Sequence, residues 1–321
     1  MSSINTNPAA MTALQSLFST NKNLSIVQQR ISTGLRVGEA KDNAAYWSIA
    51  TTMRSDNKVL STVQDTLGLG ASRVDTAYTA MESILTLVDE IKQKVLAAVG
   101  MSEDNQQKIQ DEINAFQSQL NSTAQAATFS GVNWLYVDDL ATDSIVASFT
   151  RDQSGGIVLG TIDIDVSSIR LYNEAATTNE TMGILEGLRL GTTGKRDNSA
   201  TDASAGTVAA TDGYAIATLN VVGSTDEQIR QMLAVVDATL ADITNAATAI
   251  GSAKRRVDMQ KEYISKLTDS IDRGVGQLVD ADMNQESTRL QALQVQQQLG
   301  IQSLSIANSN AQNILLLFRG Q

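Results

Sequence analysis

The sequence predicts a mainly α protein: a long antiparallel helical rod, a coiled-coil bundle formed by the N- and C-terminal regions, with a small α+β insertion domain in the middle. Three observations predict this. Apolar residues recur in alternating steps of three and four over long runs at both ends. Proline occurs once, as Pro8, and only 4% of the 321 residues are aromatic, which favours long helices over a sandwich or barrel. The middle switches to short runs that alternate apolar and polar residues between Gly, Ser and Asp.

Taken in order, the first seam reads Leu14, Leu17, Asn21, Leu24, Gln28, Ile31 and Leu35. The helical signal then lapses between Arg30 and Ala45, where Gly34 and Gly38 mark a connector. The clearest seam follows: Leu60, Val63, Leu67, Gly70, Val74, Ala77, Met81, Ile84, Val88, Ile91, Val95 and Ala98, broken in character only by Gly70. A helix from about residue 56 to about residue 99 would be roughly 65 Å long at 1.5 Å per residue. Gly100 and the polar residues 102–105 predict a turn. Ile109, Ile113, Phe116, Leu120, Thr123 and Ala127 make the next helix.

In the middle, residues 144–149 and 156–166 read as strands, with Ser154-Gly155-Gly156 as their hairpin turn. Residues 178–188 are expected to form a short helix, and residues 199–212 an exposed loop. A third long helix carries Ile229, Leu233, Val236, Leu240, Ile243, Ala247, Ile250, Val257, Ile264, Ile271 and Leu278. Seams so far apart in the chain bury one another best as an antiparallel bundle.

Residues 290–318 contain no charge, yet are rich in Gln, Asn and Ser. Their seam is Leu290, Leu293, Gln297, Gly300, Leu304, Ala307, Ala311, Ile314 and Phe318. Ordering each residue costs about 1–2 kcal/mol of backbone entropy, and burying each large apolar side chain returns about 1.5–3 kcal/mol. With so few large side chains, both termini are expected to be disordered in a lone subunit and to become helical against partners. The seam residues expected to meet those partners are Leu14, Leu17, Leu24, Ile31, Leu290, Leu293, Leu304, Ile314 and Phe318. A charge-free chain suits such burial, because it leaves no unpaired ion inside.

Composition excludes several functions. The chain has no Cys and no His, so thiol nucleophiles, disulfides and Cys/His zinc sites are absent. No cofactor is expected. The net charge of −11 disfavours nucleic acid and anionic lipid as partners. Residues 1–10 lack the basic and apolar regions of a cleaved secretory signal. No stretch approaches eighteen consecutive apolar residues, so membrane insertion is not expected. Asp163 and Asp165 alternate on a strand, which reads as a solvated face rather than a metal site. Gly191-Thr-Thr-Gly194-Lys195-Arg196 has the wrong glycine spacing for a phosphate loop. The patterns at Asn121 and Asn179 that match N-glycosylation acceptors are common by chance.

Three stretches resemble bacterial flagellin. They are Arg30-Ile-Ser-Thr-Gly-Leu-Arg-Val-Gly-Glu-Ala-Lys-Asp-Asn-Ala-Ala45 running on to Ala50, then Phe129-Ser-Gly-Val-Asn133, and finally Gln296-Gln-Gln-Leu-Gly300 through Ala307-Asn308 to Gln312-Asn-Ile-Leu-Leu-Leu-Phe-Arg319. Asn5-Thr-Asn7 agrees as well. The connector signature is Arg30, Gly34, Leu35, Arg36, Lys41, Asp42 and Ala45. The resemblance covers residues 1–139 and 226–321 and leaves the middle unmatched.

The resemblance implies a structural, non-enzymatic subunit that polymerises with copies of itself into the extracellular flagellar filament for swimming motility. It implies residues 1–40 with 285–321 as an inner coiled-coil tube and 41–140 with 225–284 as an outer tube. Residues 141–224 would be a variable surface domain; because its strands can pair within the insertion and its ends return to the rod, a deletion of about residues 145–220 closed with a short linker is expected to leave filament formation intact. It also implies export by the flagellar type III route without signal cleavage, with an export chaperone, a cap protein and hook-associated junction proteins as partners. Residues 29–50 resemble the segment sensed by plant immune receptors, but Asn43, Tyr46 and Trp47 depart from it. Lys94 departs from the segment sensed by the animal receptor, so weak recognition by host immune receptors is expected. Tyr46 and Trp47 could equally anchor an interface or pack within their own subunit. The alternative within this class is a flagellin-like hook–filament junction protein. From other classes, a chemoreceptor-type signalling rod would need a membrane span or a symmetric hairpin tip, and an enzyme would need an acid/base constellation that the chain lacks.

Overall fold

The structure is a computed structural model that describes residues 7–138, 141–152, 154, 156–173 and 175–319, with 310–319 as backbone alone. The chain divides into two compact units, Val59–Lys266 and Met1–Lys58 with Leu267–Gln321. In order, its elements are α1 (Pro8–Thr33), α2 (Ala44–Ala97), α3 (Glu103–Ala126), β1 (Thr128–Phe129), β2 (Val132–Asn133), β3 (Thr142–Arg151), β4 (Ile157–Asp165), β5 (Arg189–Leu190), β6 (Thr201–Asp202), β7 (Asp212–Tyr214), α4 (Asp226–Val279) and α5 (Met283–Arg319).

In the Val59–Lys266 unit, α2 and α4 run antiparallel. Lys254 pairs with Asp75 and Lys92 with Asp237, both at 2.6 Å. The whole α2 seam from Leu60 to Ala98 is buried, Gly70 included. Ile229, Val236, Ile243, Ile250, Val257 and Ile264 of α4 are buried with it. One 18-residue window of α4 has mean hydropathy 1.3, enough to cross a membrane by composition alone, yet the buried α4 residues face protein.

Gly70 has a packing reason. A Cβ there would lie 2.5 Å from Ile145 Cγ2 of β3, so the missing side chain lets the hairpin sit directly on α2. β3 and β4 pair antiparallel, with a bulge between Val146 and Ser148. Ile145, Ala147, Phe149, Ile162 and Ile164 face inward, whereas Asp163 and Asp165 face solvent. The hairpin turn expected at residues 154–156 lies partly outside the described residues.

The rest of the middle differs from expectation. Residues 178–187 are a run of turns rather than a helix. Their N–H groups find carbonyls of the 170–171 segment instead: Ile184 donates to Arg170 and Leu185 to Leu171, both at 3.1 Å. Two residues of the expected 199–212 loop, Thr201 and Asp202, pair parallel to β7.

α3 adds a feature that apolar periodicity does not reveal. Gln106, Gln110 and Gln117 point at the returning chain, where Gln110 accepts from Val221 N (2.8 Å) and donates to Leu219 O (3.0 Å). Gln106 accepts from Gly223 N, and Gln117 donates to the carbonyls of Ile216 and Leu219. The signal was legible as three glutamines at steps of four and seven on one helix face.

α4 begins in a reciprocal cap, Thr225 Oγ1 accepting from Gln228 N while Gln228 Oε1 accepts from Thr225 N. α2 begins at Ala44, well before the expected residue 56. Asn43 Oδ1 accepts from Tyr46 N and starts the helix there, with no Gly or Pro to stop it.

Candidate polymerisation interface

The candidate site lies in the unit made by residues 1–58 and 267–321. α1 opens with Asn7, whose side chain accepts from Ala10 N, and Pro8 occupies the first turn, where its missing N–H costs nothing. It ends at Gly34, which takes φ +71°, a left-handed conformation, and donates to Arg30 O.

α5 pairs antiparallel with α1. Asn7 donates to Ala307 O (2.9 Å), Gln297 donates to Asn21 (2.7 Å), and Arg30 Nη1 meets Glu286 Oε1 (3.0 Å). Glu286 is buried and Arg30 half-buried, so this ion pair fixes the register where solvent screens it least.

Several connector residues reach far along the chain, and others hold the connector itself. Arg36 donates to the carbonyls of Gln277 and Leu278, covering the otherwise open end of α4. Leu35 bridges to Asp280 and packs on a small core of Val37, Ala50, Val275 and Val279. Asp42 accepts from Gly38 N and Glu39 N. Lys41 meets Glu39 at 2.7 Å, and that hydrogen bond raises its ammonium above the usual lysine range. Ala45 is exposed in the first turn of α2. Asp282 Oδ1, accepting from Asn284 N and Gln285 N, caps α5.

The expected seams separate into two faces. On α5, Leu290, Leu293, Gln297, Gly300, Leu304 and Ala307 are all buried or half-buried, and a Cβ at Gly300 would come within 3.0 Å of Leu17. On α1, Leu17, Leu24 and Ile31 turn inward together with Ala13, Thr20 and Val27. That set keeps the three-four step and buries Val27 where the expected set would have buried Gln28. Leu14 instead belongs to a second, outward stripe: Met11, Leu14 and Phe18 are 65%, 58% and 74% exposed. An open groove of about 770 Å³ runs along it, lined in part by Met11, Leu14, Gln15 and Phe18. α5 carries its own outward stripe in Val295, Leu299 and Ile306. The side chains of Ile314 and Phe318 lie outside the described residues.

Exposed apolar stripes on helices almost free of charge gain by association, because nothing ionic must be desolvated to bury them. Among the described residues, no group of three or more Asp or Glu is placed to hold a metal ion.

A chain whose two ends pair and offer further uncharged apolar stripes is a structural protein of the assembling kind. Residues 4–137 match the bacterial flagellin N-terminal helical region, and residues 233–318 match the bacterial flagellin C-terminal helical region. Flagellin C of Rhizobium meliloti (strain 1021) is 49% identical, over 99% of this chain and all of that protein. A flagellin of Brucella melitensis biotype 1 is 46% identical over the full length of both. Flagellin A of Rhizobium meliloti is 43% identical over an alignment of 397 residues, longer than this chain, so that protein carries residues without a counterpart here. The chain belongs to the bacterial flagellin family. It is a structural subunit of the flagellar filament outside the cell, and it serves motility rather than catalysis.

Proposed function

We propose that filament growth proceeds through the terminal pair, with two kinds of residue dividing the work. Leu17, Leu24, Ile31, Leu290, Leu293 and Leu304 hold α1 and α5 together. Leu14, with Met11 and Phe18, and the outward residues of α5 meet neighbouring copies; Ile314 and Phe318 extend the α5 seam by sequence. The observation that carries this is the outward stripe: large apolar residues exposed on helices almost free of charge in a self-assembling family. Residues 1–40 with 285–321 form the inner tube, 41–140 with 225–284 the outer tube, and 141–224 the surface domain. A pair held by so few large side chains is marginal alone, so the ends order fully only as copies add.

Export by the flagellar type III route, with a chaperone, a cap and junction proteins as partners, follows from the family resemblance. Recognition by host immune receptors is weak in this reading. Asn43 caps α2, Tyr46 and Trp47 crowd the sensed stretch, and Lys94 is engaged by Glu112. No observation favours the junction-protein alternative.

The test is electron microscopy of the purified, concentrated chain, with limited proteolysis before and after polymerisation. Filaments whose ends resist cleavage are expected, from monomers whose ends are trimmed. A folded protein that forms no filaments, or monomer ends as resistant as filament ends, would overturn the reading.

A further inference from the structure

The first turns of α2 carry a feature that the terminal pair does not account for. Residues 44–49 are all exposed, a complete helical turn and more with no buried side chain. Three of them are large and apolar: Tyr46, Trp47 and Ile49, exposed by 43%, 39% and 50%. The turn is nonetheless rigidly placed. Asn43 caps it, Thr51 Oγ1 donates to Trp47 O, and Ala50 and Met53 just beyond pack on Val275 and Val279. Residues 44–53 carry no charge.

We propose that Tyr46, Trp47 and Ile49 form an aromatic anchor that docks on a second copy of this chain in the filament. Two arguments select a second copy as the occupant. Each copy has a net charge of −11, so identical molecules repel except where their surfaces are uncharged. Most of the exposed large apolar residues of this unit fall in such uncharged stretches: α1 around Met11–Phe18, α5 beyond Arg289, and this turn of α2. A filament also surrounds each subunit with copies of itself, so a rigid patch of Trp and Tyr, the residues that most often dominate interface energy, meets its own kind first. The anchor rests on the polymerisation reading above but uses a different surface.

The chain supplies its own reporter. Of its two tryptophans, Trp134 is buried and donates to Asp143 at 2.9 Å, so Trp47 is the one open to a quencher. Acrylamide quenching of the wild-type chain and of Trp47→Phe, each as monomer and as filament, isolates the Trp47 signal by difference. In the filament, that signal is expected to be protected and shifted to the blue. The double variant Tyr46→Ala/Trp47→Ala is expected to raise the critical concentration for polymerisation by roughly tenfold. Filaments in which Trp47 stays as quenchable as in the monomer, or an unchanged critical concentration, overturn the anchor alone. A wild-type chain that does not polymerise overturns the polymerisation reading together with it.

Discussion

Gly70 and Gly68 stand two residues apart on α2 and predict opposite outcomes. At Gly70 a new Cβ would meet Ile145 at 2.5 Å, whereas at Gly68 nothing lies within 4 Å. Gly70→Ala should therefore destabilise by about 1–3 kcal/mol through overpacking. Gly68→Ala should stabilise by about 0.5–1 kcal/mol through helix propensity. Chemical denaturation of both variants checks the signs, and Ile145→Ala should relieve the cost in the Gly70→Ala background. The gap at Gly70 was legible in the seam, but its cause was not, because Ile145 reaches it only through tertiary packing. Arg36 was legible as part of a signature. Its work on the carbonyls of Gln277 and Leu278 joins two segments that no local pattern relates.

The helices were the most legible elements, since a three-four step sustained over many turns has few competing readings. The register of α1 was less so, for a physical reason. Positions 14, 21 and 28 and positions 13, 20 and 27 both complete the step through Leu17, Leu24 and Ile31. A helix with apolar residues on two faces does not say which one meets its intramolecular partner. Because Phe18 lies on the outward face, Phe18→Asp should leave the monomer's circular dichroism unchanged and block filament growth, as read by sedimentation. Leu304 faces α1, so a charge there would disturb the pair itself. On α3 the apolar pattern concealed the glutamines. Gln110→Leu leaves the N–H of Val221 and a bond to Leu219 O unmade in a buried place. A loss of about 1–3 kcal/mol is expected, with faster hydrogen exchange at Val221 as its local sign.

Across the molecule, the sequence was readable where physics is local and periodic, and opaque where short segments borrow hydrogen bonds from one another. The turns at 178–187 are of the second kind, as are the two short pairings to β7. The two family models match residues 4–137 and 233–318 and leave the segment between them uncovered. Yet that segment is packed on the helices. Ile145 covers Gly70, buried Arg189 pairs with Asp242 of α4 at 2.6 Å, and the α3 glutamines hold residues 216–223. Removing about residues 145–220 therefore has a cost in stability that is separate from whether the shortened chain assembles. Closing that deletion with a short linker should lower the melting temperature of the remaining helices. Thermal unfolding followed by circular dichroism would show it, whether or not filaments still form.

The bond from Asn7 to the carbonyl of Ala307 and the ion pair from Arg30 to Glu286 tie the first helix to the last. The two partners of α1 lie 256 and 300 residues further along the chain and exist only once the ribosome has passed them. A ribosome making this chain thus releases α1 long before its counterpart, and a fragment that stops before α5 cannot close the unit on its own. Contacts of such long sequence separation form slowly, because a large loop must be closed before any contact rewards it. Until α5 has emerged, this unit of the protein is an unclosed thread.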